Sequence, residues 1–133
     1  MPNPNEMVSV RYLVDDVAES VAFYTKFLDF EILNNFPAFA DVARGNLRLL
    51  LSGPMSSAAR PMADGAKPGP GGWNRIHLIV DDIDAQVARL RAAGAPIRND
   101  IIEGPGGKQA LLQDPSGNVV ELFQPAAAFA PAR

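Results

Sequence analysis

The sequence predicts an α+β fold made of two consecutive β-α-β-β-β modules. Three observations predict it. Val14-Asp15-Asp16 recurs as Val80-Asp81-Asp82 at an offset of 66 residues, and Val21-Ala22 recurs as Val87-Ala88 at the same offset. Each copy joins an alternating apolar segment to an amphipathic one across the acidic pair, as a strand leading into a helix does. Downstream of each amphipathic segment, short apolar runs are separated by turn residues, which is the pattern of hairpins.

The elements follow in order. "VRYLV" from Val10 reads as the first strand, and Asp16 as the N-cap of the first helix, because a carboxylate there accepts from free helical N–H groups and suits the positive end of the dipole. "FEILNNF", "FADVAR" and "LRLLLS" read as three strands, the last two joined across Gly45-Asn46. The second module repeats the plan with "IHLIV", a helix capped by Asp82, then "PIRNDIIE" and "KQALLQD" around Gly104-Pro105-Gly106-Gly107, and "DPSGN" turning into "VVELFQ". Module one covers about 7–53 and module two about 73–125, within a single domain spanning 1–133. Between them, about 53–72, a stretch dominated by Pro, Gly, Ala and Ser lacks periodicity and reads as a linker or a surface loop. The tail, 126–133, reads as frayed.

The composition narrows the chemistry. With no cysteine in 133 residues, a disulfide framework, a thiolate zinc site and a cysteine nucleophile are all excluded. A net charge of −3 with scattered charges and no basic stripe excludes nucleic acid as the expected partner. No apolar run reaches the ~20 residues of a membrane span, so no membrane partner is expected. The start "MPNPNEMVSV" lacks a basic n-region and an apolar h-region, and the protein is expected to be cytoplasmic. A small molecule or another protein chain remains as partner.

Alternation assigns faces. Val10, Tyr12 and Val14, and their repeats Ile76, Leu78 and Val80, should face the helix of their own module. Ser9, Arg11 and Leu13, and likewise Arg75, His77 and Ile79, then fall on the opposite face. On the last strand Glu121 stands among apolar residues, where a carboxylate must meet a cation, a donor or water. It either faces a polar cavity or pairs with an arginine.

The paired modules, "VDD" followed by "SVAFYTKFLDFEI", and "VDDIDAQVARLRAAG" followed by "DPSGNVVELF" together resemble the vicinal oxygen chelate superfamily over roughly residues 7–125. That group includes glyoxalase I, extradiol dioxygenases, fosfomycin resistance enzymes and bleomycin resistance proteins. The resemblance implies a cup-shaped mixed sheet around a ligand, with helices on the outer face, and a homodimer. It also implies one metal ligand near the start of each module's first strand and one on each module's last strand. Five residues before the valine of "VDD" these positions hold Ser9 and Arg75, and on the last strands they hold Leu49, or Leu50 if the register slips by one, and Glu121. Only Glu121 is a residue the family would use. A catalytic site needs about three protein ligands, and Arg75 would repel a cation beside it, so neither metal nor other cofactor is expected. His77 lies two residues past the ligand position, about 6–7 Å further along the strand, where a displaced site with Glu121 is conceivable.

The resemblance and the residues together predict a metal-independent protein that binds a small anionic or aromatic molecule, as bleomycin resistance proteins do. The expected ligand-binding residues are Ser9, Arg11, Leu13, Trp73, Arg75, His77, Glu121 and Phe123. Arginine forks suit a carboxylate, phenolate or phosphate. Trp73 either stacks on the ligand or plugs the interface between the modules. The alternative is a lyase, isomerase or dioxygenase-like enzyme using His77 and Glu121 in acid–base chemistry or a non-standard metal site. A third reading has the polar residues satisfy one another, Arg75 with Glu121, and leave no usable cavity. Glyoxalase I activity is disfavoured, because its enediolate is stabilised by metal coordination.

Overall fold

Asp16 and Asp82 cap the two helices as their positions predict: the Asp16 carboxylate accepts from the Glu19 N–H at 2.9 Å, and that of Asp82 accepts from the Ala85 N–H at 3.1 Å. The computed structural model describes residues 2–129. Within it the chain forms two compact units, one holding the residues up to Gly71 together with Pro115–Asn118, the other holding Gly72–Asp114 and the chain from Val119 onward.

The first unit contains β1 (Val8–Leu13), α1 (Val17–Leu28), β2 (Glu31–Asn35), β3 (Phe39–Arg44) and β4 (Leu47–Ser52). Its sheet has the order β1-β4-β3-β2, with β1 parallel to β4 and the remaining pairs antiparallel. Val17, Val21, Tyr24 and Leu28 recur at helical spacing and are buried, so α1 presents one apolar stripe. The same burial is found at Tyr12 and Val14 after β1 begins, at Ala40 and Val42, and at Leu49 and Leu51. These alternate residues form the helix-covered face.

The second unit contains β5 (Ile76–Ile79), α2 (Ile83–Ala92), β6 (Ile102–Gly104), β7 (Gly107–Gln113) and β8 (Val119–Pro125). Its sheet repeats the plan as β5-β8-β7-β6, with β5 parallel to β8. Ile83, Val87 and Leu90 are the buried stripe of α2, and Ile76, Leu78, Ala110, Leu112, Val120 and Leu122 are the buried strand residues. Lys108 on β7 reaches Asp84 in the first turn of α2 at 3.2 Å, and the hydrogen bond to Asp84, aided by its charge, raises the lysine pKa above the usual value.

One expectation needs correction. The strand anticipated over 96–103 is reduced to Ile102–Gly104 plus one isolated bridge from Ile97 to Leu112. The cause is Asn99, whose Oδ1 accepts from the Leu111 N–H at 3.0 Å and takes the place of a ladder carbonyl. Within the stretch between the modules, Ser57–Ala59 forms a 3-10 turn and the Gly71 N–H donates to Asn118 Oδ1 at 2.8 Å. The tail begins with a 3-10 turn at Ala127–Phe129, and 130–133 lie outside the described residues. Among the described residues no helix is long and apolar enough to cross a membrane.

Gly107 is the glycine the β6–β7 turn depends on. Its φ is +146°, and a Cβ there would run into the Gln124 carbonyl of β8. Gly107→Ala is expected to lower stability by at least about 2 kcal/mol, read from the urea midpoint; a loss below about 0.5 kcal/mol would show that the turn relaxes freely.

Candidate functional site

Strand register fixes what shares the helix-free face of each sheet. In the second unit His77 stands opposite Glu121 across β5 and β8, and Leu111 stands opposite Glu121 from β7. Glu121 is only 7 % exposed, and Arg75 and His77 bracket it. Arg75 Nε donates to Oε1 at 2.9 Å, while His77 Nε2 lies 3.3 Å from Oε2. Both carboxylate oxygens are therefore engaged, which answers the burial cost that an isolated carboxylate would carry.

The bridge has neighbours that steady it. Arg75 Nη1 also donates to the Trp73 carbonyl at 3.1 Å, so the arginine fork spans from the chain leading into β5 to the middle of β8. The His77 ring packs against Phe123, with centroids 4.7 Å apart. Trp73 is 62 % exposed and carries the Arg98 guanidinium 4.4 Å from its ring centroid. One face of its ring thus already holds a cation. Arg75, His77, Glu121, Phe123 and Trp73 are thus brought together by contacts within one unit.

The first unit holds the others. Ser9 stands opposite Arg48, Arg11 opposite Leu50 and Leu13 opposite Ser52. Arg11 Nη1 donates to the Ser52 hydroxyl at 2.8 Å, and Arg48 Nε donates to the Ser9 hydroxyl at 3.0 Å. Leu13 borders a cavity of about 170 Å³ beneath the linker, lined also by Pro54, Lys67 and Pro70. Arg48 and Asp41, which alternation in "LRLLLS" and the lone carboxylate in "FADVAR" would have flagged, join this face unannounced.

Register also settles the last-strand position of module one. Leu50 faces Arg11 as Glu121 faces His77, whereas Leu49 is fully buried on the helix side. Leu50, not Leu49, is the counterpart of Glu121. The residues present do not fit the family's metal: Leu50 has no donor atom, the Arg75 guanidinium has no lone pair to give, and both Glu121 oxygens are in use. Among the described residues no three His, Asp or Glu side chains come together as a metal site.

Residues 6–122 match the model of the Glyoxalase/Bleomycin resistance protein/Dioxygenase superfamily. The chain belongs to that superfamily. Solved structures repeat the fold of this superfamily member along nearly its whole length. TioX from Micromonospora sp. ML1 aligns with a TM-score of 0.74 at 21% identity, covering 91% of this chain and 99% of that one. Lactoylglutathione lyase from Agrobacterium tumefaciens aligns at 0.73 and 23%, covering 92% and 96%. TnmS3, an antibiotic binding protein from Streptomyces sp. CB03234, aligns at 0.70 and 27%, covering 91% and 96%. In sequence, the chain is 34% identical over 76 residues to CFP32 of Mycobacterium tuberculosis, whose name assigns it provisionally to the glyoxylases. That match takes in 56% of this chain and only 29% of the relative's length.

The Arg75–Glu121 pair can be weighed by a double-mutant cycle. Arg75→Ala, Glu121→Gln and the double variant are expected to give a coupling energy of about 1–2 kcal/mol in chemical denaturation. Additive losses would mean that His77 alone satisfies the carboxylate.

Proposed function

We propose that this superfamily member binds a small anionic or aromatic molecule without a metal. The observation that carries the reading is the bridged Glu121, whose two oxygens are held by Arg75 and His77, so that the one side chain of the family's ligand type is committed to protein partners. Arginines then dominate the helix-free faces, Arg11 and Arg48 in the first unit and Arg75 in the second, with the His77 imidazole beside Arg75. Arginine forks bind carboxylate, phenolate and phosphate groups bidentately, and Trp73, His77 and Phe123 supply ring surface beside them. The likeness to TnmS3, an antibiotic binding protein, supports a binding role for this chain as well. The proposed site residues are Ser9, Arg11, Leu13, Trp73, Arg75, His77, Glu121 and Phe123. Association as a homodimer and a cytoplasmic location belong to the same proposal.

A second reading is favoured by one distance. His77 Nε2 and Glu121 Oε2 at 3.3 Å form the histidine–carboxylate contact that acid–base enzymes use to orient an imidazole. In that case Glu121 positions the ring and His77 exchanges a proton with the bound molecule.

Two measurements separate these readings. After incubation with zinc, nickel and manganese and exhaustive dialysis, the protein is expected to retain well below one metal per chain by elemental analysis, while native mass spectrometry of protein from its own host shows a bound organic molecule. One metal per chain would overturn the metal-free reading. Turnover of the captured molecule, lost at least about 100-fold in His77→Ala with binding retained, would establish the acid–base enzyme instead.

A further inference from the structure

The helix-free face of the first sheet carries a charge arrangement that its own contacts leave incomplete. Asp41 on β3 is 2 % exposed, and its Oδ1 is, among the described residues, the one buried side-chain atom without a hydrogen-bond partner. Its other oxygen lies 3.6 Å from Arg48 Nη1, beyond hydrogen-bond length, because Arg48 commits its Nε to Ser9. Arg11 has the opposite deficit. Its only donor contact among the described residues is to the neutral Ser52 hydroxyl, with no carboxylate in ion-pair reach.

Register relates the two. Arg11 and Asp41 both stand opposite Leu50, one from β1 and one from β3, so they share a rung of the sheet with an apolar side chain between them. Two strand spacings separate their Cα atoms by about 10 Å. A carboxylate and a guanidinium that served stability alone would have been set side by side. Here they are held apart across Leu50, and a buried acceptor is left open, which costs a folded chain free energy.

We propose that Asp41 reads the donor end of the bound molecule: Oδ1 accepts from an O–H or N–H group, while Arg11 holds an acidic group at the far end and Leu50 lies under a flat apolar body. The ligand class is therefore an aromatic anion that carries a hydroxyl or amino donor opposite its acidic group. The half-exposed Arg48 side chain is the neighbour that must shift for the donor to reach Oδ1. This inference rests on the small-molecule reading above and adds the polarity of the ligand and the residue that senses it.

The test compares two probes by titration calorimetry, 6-hydroxy-2-naphthoate and 6-methoxy-2-naphthoate, in which a methyl group replaces the distal donor hydrogen; the Asp41 variants separate loss of the donor from the added bulk. The wild-type chain is expected to bind the hydroxy compound about tenfold more tightly. Asp41→Leu should reduce that preference to about twofold or less, and Arg11→Gln should weaken both compounds about equally. Without ligand, Asp41→Leu should leave the thermal midpoint unchanged or raise it by about 2–4 °C, since the unpartnered acceptor is gone. Asp41→Asn, which keeps the shape, covers the case in which the leucine variant does not fold, and should also narrow the preference. Equal affinities in the wild type, a preference that persists in both Asp41 variants, or a midpoint lowered by more than about 5 °C in Asp41→Asn would each overturn the assignment. If both naphthoates bind equally and Arg11→Gln weakens both, the small-molecule reading stands and the Asp41 role falls. If neither binds, the assignment falls, and the absence of any adduct in host-purified protein would take the underlying reading with it.

Discussion

Parallel strands cannot be joined by a tight hairpin, so pairing β1 with β4 and β5 with β8 obliges each module to leave its sheet, cross by a helix and return through a meander. The strand order in both units follows from that single requirement. The crossing helix seals one face of the sheet, and the period of two along each strand delivers every second residue to the other face. Because the pairing is in register, Arg11 meets Leu50 and His77 meets Glu121, residues 39 to 44 positions apart in sequence yet adjacent in space. A slip of one residue in the β5–β8 pair would turn Glu121 into the helix-packed core and dismantle the bridge.

The two units solve one electrostatic problem in different ways. On the corresponding rung of each sheet the order is Arg11, Leu50, Asp41 in the first and His77, Glu121, Leu111 in the second. The carboxylate has moved over by one strand. In the second unit this puts it in reach of both Arg75 and His77, and the charges close on themselves. In the first unit Leu50 stands between Arg11 and Asp41, and the carboxylate has only the longer 3.6 Å approach of Arg48. Repetition of the fold has been kept, while repetition of the chemistry has not.

Much of this was legible in the sequence, because it depends on local rules. The acidic pairs marked the helix starts, and alternation placed Arg75, His77 and Glu121 on one face, since both signals depend only on nearby residues. What escaped depends on side chains acting at a distance. Asn99 replaces a backbone acceptor for Leu111 and truncates β6, an event invisible to propensity. Arg98 lands on Trp73 across a stretch with no shared periodicity. The choice between Leu49 and Leu50 needed the ladder itself. Asp41 carried the same mark as Glu121, a lone carboxylate in an apolar strand, and was readable by the same test.

Asn118 gives the chain a property that its repeat conceals. It sits in the turn between β7 and β8, yet its amide donates to the Leu13 carbonyl at 2.8 Å and accepts from the Gly71 N–H at 2.8 Å. The compact unit built around the N-terminal half therefore borrows four residues, Pro115–Asn118, from the C-terminal half. The polypeptide is consequently not two beads on a string. Scissors applied at the linker would separate a fragment lacking its own clasp from a fragment carrying a clasp with nothing to hold, so the N-terminal half is completed only by residues that the chain supplies more than a hundred positions later.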